Sequence, residues 1–362
     1  MTYYSILFAK PDDRPTNQTA QAPDFFMDLN LDQVITAVTA SKQEDELTPF
    51  FYAPLSTIDA IIYRQEIAQD LEDAGFKAGI DAFAEKMSLM RRYLNLIQKL
   101  YYQRHKEGWF LEAVKTYCEA VTRLADDLSA CPLQSRGLLA FGEYMAAYAT
   151  AEAFTTLRDE ANQVQADLNA ITYSIIIKDN TVKVRHYAGE SDYSIEVEAT
   201  FARFKQGAVK DYRSKLNPAS GMNHIQAKIL DFVAQLHPDA FANLAQFYGR
   251  HANFLDETIR DFDREIQFYI AYLGYIAEMK RVGLSFCYPQ ISGQNKEVSS
   301  YAGFDLALAA KYVNENSPVV VNDFYLQGVE RILIVSGPNQ GGKTTFARTF
   351  GQLHYLARLG CP

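Results

Sequence analysis

The sequence predicts a mainly α fold built on long helices, interrupted by a small antiparallel β insert and followed by the start of an α/β domain. Three observations predict it. Apolar residues recur at three- and four-residue steps through most of the first 282 positions. The period drops to two around SIIIKDNTVKV, and near the end a continuous apolar run leads into a glycine-rich turn and a further amphipathic stretch.

Taken in order, Tyr3 to Ala9 reads as a short strand and Pro11 to Pro23 as a polar loop. From Asp28 to Thr39 the pattern is helical, with Leu31, Val34, Ile35 and Val38 on one face. Ser56 followed by Asp59, ahead of Ile61 and Ile62, is a capping-box variant that opens another helix. A long helix is predicted from Phe83 to Gln103, with Met87, Met90, Leu94, Ile97 and Tyr101 on its apolar face. Lys86, Arg91, Arg92, Lys99 and Arg104 fall on the other face. Further helices are predicted from Phe110 to Leu128, stopping before Pro132, and from Leu138 to Ile171. Asp179-Asn180 is a two-residue hairpin turn between β-rich runs, and YSIEVEATF alternates like a further strand. Helices resume at Met222 and run to Val282 with a break near Gly249. The segment from Gly283 to Asn316 is mixed and rich in turns. The predicted divisions are 1–22 as strand and loop, 23–171 helical, 172–202 β insert, 203–290 returning helices, and 291–362 the start of the α/β domain.

The formal net charge of −9 excludes a protein that lives by non-specific phosphate contacts over its whole surface, so any nucleic-acid contact must use a local patch. Cys118, Cys131, Cys287 and Cys361 form no CxxC pair, which predicts free thiols in a reducing cytoplasm. The six histidines share no metal-binding spacing. No signal peptide or membrane-spanning apolar run is apparent, so a soluble, cytoplasmic protein is expected.

The chemistry is concentrated in Gly337-Pro338-Asn339-Gln340-Gly341-Gly342-Lys343-Thr344, which fits G-x-x-x-x-G-K-[ST]. Glycines let the backbone curl so that several N–H groups converge on phosphate oxygens, and a following helix adds the positive end of its dipole. Lys343 can reach β- and γ-phosphates, and the Thr344 hydroxyl can ligate magnesium. The flanks suit the motif. Ile332 to Val335 reads as a buried parallel strand; Phe346, Phe350, Leu353 and Ala357 mark one helix face; Gly360 and Pro362 end that helix.

GPNQGGKTT resembles the phosphate-binding loop of the MutS family, which usually reads GPNMGGKST. SPVVVNDFYL ahead of the strand, the trailing LGCP, and PLSTIDAIIYRQE (Pro54 to Glu66) are similar to family segments, the last to the helical core. The long helices with their β insert resemble the family's lever and clamp. The resemblance implies a helical core and lever, a clamp-like insert and a truncated P-loop ATPase domain, in a DNA-handling protein that uses ATP and Mg²⁺ and pairs as a homodimer when full-length. It also implies that Gly337 to Thr345, Thr345 included, cradle the phosphates, and that Val319, Val320 and Asn322 lie near the adenine. An aromatic residue often stacks there in relatives where this chain has Val319, and Gln340 replaces the usual Met. The acidic Walker B strand is expected beyond Pro362, so this segment is expected not to hydrolyse ATP alone.

The family's mismatch-reading domain would precede the core and is expected to be missing here. Phe110-Leu111-Glu112 matches the letters of its Phe-x-Glu mark, but packing inside the helical region is the expected role. Arg203, Lys205, Lys210, Arg213 and Lys215 cluster after the β insert and are candidate DNA contacts, against the alternative of a solvated helix face. Two other readings stay open: an ATPase of the second MutS subfamily acting on branched DNA or stalled ribosomes, and a helical scaffold with a vestigial phosphate loop.

Overall fold

A computed structural model describes residues 3–14, 21–179, 181–189 and 222–362. It is mainly helical, with two small two-stranded antiparallel sheets among the described residues. No described helix is long and apolar enough to cross a membrane. The chain divides into two compact units: Met1–Ala84 with Val121–Ala149 and Leu255–Pro362, and Glu85–Ala120 with Thr150–Phe254.

The first unit contains α1 (Leu31–Thr39), α2 (Thr48–Tyr52), α3 (Ile58–Asp70), the start of α4 (Ala74–Lys99), the end of α5 (Gln103–Ala130) and most of α6 (Arg136–Thr150). Its later part holds α10 (Glu257–Arg281), β3 (Val298–Gly303), α11 (Leu306–Asn314), β4 (Asn322–Leu326) and α12 (Lys343–Arg358). Helix α3 begins one residue later than the capping pattern predicts: Thr57, not Ser56, accepts from Ala60 N at 3.2 Å. The α10 N-terminus is capped by Asp256, which accepts from Ile259 N, and Lys280 and Arg281 face the negative end of its dipole. The core stacks Phe141 on Phe262 with ring centroids 3.7 Å apart, with Tyr3 and Phe83 closing in on the same pair. Helix α6 approaches α3 closely because residue 137 is glycine; a Cβ there would lie 2.6 Å from Tyr63 Oη. Arg136 then ties the two helices by pairing with Glu66 and Asp59.

Residues Tyr3 to Ala9 are not the predicted strand. They form an irregular strap whose backbone is read by side chains rather than by a neighbouring strand. Ser5 O accepts from Tyr63 Oη (2.6 Å), Ile6 O from Tyr269 Oη (2.7 Å) and Leu7 O from Arg64 Nε (2.9 Å). Ile6 N and Ser5 Oγ donate to Glu265. Buried backbone groups need partners of some kind, and helices α3 and α10 supply them. The strand prediction fails because alternation cannot distinguish ladder partners from side-chain partners.

The second unit holds the rest of α4 and α5, α7 (Glu152–Asn169), the hairpin β1 (Tyr173–Lys178) and β2 (Thr181–His186), α8 (His224–Leu236) and α9 (Pro238–Arg250). The hairpin pairs Lys178 with Thr181 and Tyr173 with His186, as the Asp179-Asn180 signal predicts. The single helix predicted from Leu138 to Ile171 is two helices. The chain turns extended at Ala151 (φ −66°, ψ 144°), next to the boundary between units, with no Gly or Pro to announce it. Phe110 is buried against Phe247, Tyr248 and Phe254 inside α5, which is the packing role expected of the Phe-x-Glu triplet. Glu160 on α7 holds Arg250 (2.6 Å) and His251 (2.8 Å), and the hydrogen bond from His251 chiefly lowers its carboxyl pKa.

Candidate functional site

The glycine-rich turn lies at the head of α12. Gly342 is the N-cap in a left-handed conformation (φ 82°), and Gln340 is left-handed as well (φ 64°). A glycine suits the first; the second carries a side chain in a conformation that few residues other than glycine, Asn or Asp adopt cheaply. Gly341 N closes the curl by donating to Pro338 O (3.1 Å), and a Cβ at residue 341 would lie 3.0 Å from that same oxygen. No side chain caps the helix. The first amide with a helical acceptor is Phe346 N, bonded to Gly342 O, so the amides of Lys343, Thr344 and Thr345 have no acceptor among the described residues. These are the orphan donors of a helix N-terminus, and an anion satisfies them best.

Lys343 Nζ rests on the loop's own carbonyls, at 2.7 Å from Gly337 O and 2.6 Å from Pro338 O. Its charge is thus held at the turn. The Thr344 side chain is exposed and Thr345 half-buried. From Arg331 to Pro362 the sequence has no Asp or Glu, while Arg331, Lys343, Arg348 and Arg358 are cationic. This local excess of positive charge stands out in a chain whose net charge is −9. The donor set (orphan amides, one ammonium, one exposed hydroxyl) fits a phosphate chain with a divalent cation.

The predicted strand before the loop is absent. Ile332 is 81% exposed and Ile334 87%, and no described residue pairs with them. A parallel strand is stable only when ladder neighbours and covering helices bury both faces, and the described residues supply neither to this run.

Val319, half-buried, and Val320, exposed, lead into β4, where Asn322 pairs with Gly303 of β3. Phe324 of β4 packs on Phe346 and Phe350 of α12 at 5.7 and 5.2 Å between ring centroids. The segment Val319–Asn322 is thereby tied, through β4, to the first turns of the helix that carries the loop.

Helix α12 is pinned along its length. Gln352 donates to Leu29 O and Asp305 and accepts from Leu306 N. Tyr355 Oη donates to Phe51 O, and Leu55 N and O engage Arg358 O and its guanidinium. The helix ends in a Schellman motif: Gly360 N donates to Ala357 O and Cys361 N to Leu356 O, with Gly360 left-handed at φ 77°. Leu55 and Arg64, both within Pro54–Glu66, therefore contact the trailing end of the helix, since Arg64 Nη1 donates to Leu359 O. Sequence reasoning picked out that stretch without finding its partner. It also missed Glu265, whose signal is an acid on the apolar face shared by Phe262, Ile266, Tyr269 and Tyr272.

The candidate DNA contacts Arg203, Lys205, Lys210, Arg213 and Lys215 lie outside the described residues. The predicted basic stripe is divided between two helices, with Lys86 on α4 and Arg104 on α5, and is partly spent on ion pairs: Lys86 meets Glu119 at 2.6 Å and Arg104 meets Asp231 at 3.3 Å. All four cysteines are free. Among the described residues no group of three or more His, Cys, Asp or Glu could hold a metal.

No family model matches the chain. Over 188 residues, 52% of the chain, it is 24% identical to the DNA mismatch repair protein MutS of Chlorobium phaeobacteroides. Over 76 residues, 21% of the chain, it is 32% identical to the DNA mismatch repair protein MutS of Chlorobaculum tepidum. The relationship is MutS-like and distant. The matched regions span 19% and 8% of those two MutS proteins, so the chain corresponds to a small part of their length.

Proposed function

We propose that this chain is the core-to-phosphate-loop portion of a MutS-like protein that binds ATP with Mg²⁺ and uses the nucleotide to control a DNA-binding, repair-type activity. The reading rests on one observation above the others: a G-x-x-x-x-G-K-T turn delivers three amides with no acceptor among the described residues, and a lysine, to the head of a firmly docked helix. In this reading Gly337, Pro338, Asn339, Gln340, Gly341 and Gly342 wrap the phosphates, and Lys343 leaves its carbonyl partners for the β- and γ-phosphate oxygens. Thr344 ligates magnesium and Thr345 adds an amide. Val319, Val320 and Asn322 flank the base. MutS similarity supports DNA as the partner and a homodimer as the working form, with the lever and clamp-like regions passing the nucleotide state on. Hydrolysis needs an acidic residue to hold magnesium and position water, and Arg331–Pro362 has none to offer.

Isothermal titration of Mg²⁺–ATP onto the protein tests the reading. Lys343→Ala should weaken binding at least about tenfold, consistent with loss of a charge-assisted contact to phosphate. Equal affinities would remove Lys343 from the site.

A further inference from the structure

We propose that Arg64 is a positioning residue for the nucleotide site, linking the N-terminal strap to the phosphate-loop helix so that the strap becomes a determinant of nucleotide affinity. This rests on the phosphate-site reading given above and adds a control element to it. Arg64 is fully buried. Its Nε donates to Leu7 O of the strap and its Nη1 to Leu359 O at the end of α12, at 2.9 and 3.1 Å. The guanidinium lies 5.2 Å from the ring centroids of both Phe8 and Phe268. Among the described residues no carboxylate pairs with it directly, although Glu265 and Asp13 act on its charge from further away, and Nη2 has no hydrogen-bond partner. A buried cation without a counter-ion is costly, so the sites it does satisfy carry weight. One of them is a helix C-terminus, where a positive charge complements the dipole. The positive end of that same dipole is the phosphate loop, about 24 Å away along a helix of 16 residues.

Other side chains also pin α12, but Arg64 differs in reaching the strap as well. The packing around it is tight: a Cβ on Gly360 would lie 2.6 Å from Arg64 Cβ. The hydrogen bond to Leu359 O joins the guanidinium to that last turn, and the one to Leu7 O joins it to the strap. Strap and loop are two ends of one connected set of contacts. Anion binding at the head of α12 should steady the strap, and loosening the strap should weaken anion binding by the same factor.

The test is hydrogen exchange of the Ile6, Leu7 and Phe8 amides with and without Mg²⁺–ATP, alongside ATP titrations. In the wild type, ATP should slow exchange at these three amides. Arg64→Met should abolish that protection and weaken ATP at least about fivefold, and Arg64→Lys, able to reach one carbonyl at a time, should fall between. Since Arg64→Met could compromise folding, Tyr269→Phe provides a second variant. It removes a strap hydrogen bond while leaving Arg64 and α12 intact, and should weaken ATP by about threefold. ATP binding in the wild type without strap protection, or unaltered affinity and protection in Tyr269→Phe, overturns the linkage alone. ATP affinities that are equally absent in the wild type and Lys343→Ala overturn the phosphate site, and the linkage with it.

Discussion

Glu265 shows what a single side chain does to this core. It is buried on α10, accepts from Ser5 Oγ at 2.8 Å through both oxygens and from Ile6 N at 3.0 Å, and is held above the ordinary carboxylate value of 4.5 at about 7. Burial is the main cause; Asp261 adds to it, while the Ser5 and Ile6 hydrogen bonds and the Arg14 charge oppose it. The hydroxyls of Tyr3, Tyr63 and Tyr269 are within its field. Since the folded state keeps a proton that the unfolded chain loses near 4.5, stability falls as pH rises from about 4.5 to about 7 and levels off above. The full difference is of order 3 kcal/mol at most. Thermal unfolding from pH 4.5 to 8 should show this decline, and Glu265→Gln should flatten it. A Gln variant with the same slope as the wild type would mean that other groups carry the pH dependence. At this scale the sequence was legible where the backbone itself demands a residue type, as at Gly342, the left-handed N-cap of α12. It was not legible where a residue matters through a distant partner. Nothing near Glu265 in the sequence mentions Ser5, and nothing near Arg64 mentions Leu359.

Among the elements, the helices were readable because each buries one stripe, and a stripe needs only its own periodicity to be seen. The boundaries drifted. Helix α4 ends at Lys99 and α5 already begins at Gln103, where the sequence suggested a helix through Gln103 and a fresh start at Phe110. The break at Ala151 has no local signature, because an alanine permits either conformation and packing decides. Strands fared worse: Tyr3–Ala9 and Ile332–Val335 have strand composition, but pairing is a property of two segments and neither finds a second among the described residues. The end of α12 was well marked by Gly360, and it carries a prediction. Gly360→Ala places a side chain in a left-handed position, at a cost of roughly 1–2 kcal/mol, and drives its Cβ into Arg64. The urea midpoint should drop accordingly. An unchanged midpoint would show that the last turn can relax without penalty.

For the molecule as a whole, a net charge of −9 sets the terms on which DNA could be held. Attraction has to be local, and Arg203, Lys205, Lys210, Arg213 and Lys215 form a basic cluster opposed in the sequence only by Asp211. Replacing all five by Gln should weaken DNA binding and make the slope of log K against log salt shallower by about 0.9 per lost phosphate contact. A slope equal to that of the wild type would clear this cluster of any contact and move attention to other parts of the surface.

The strap carries a consequence for how this chain is made. Leu7 waits for Arg64, Ile6 for Tyr269, and the arginine itself for Leu359. At about 5–20 residues per second, a ribosome needs roughly 15–60 s to travel from Arg64 to Leu359. Throughout that interval Ile6, Leu7 and Phe8 are an apolar tripeptide without a home, which makes residues synthesised well before their partners among the last to be locked and a natural binding site for a chaperone on the nascent chain.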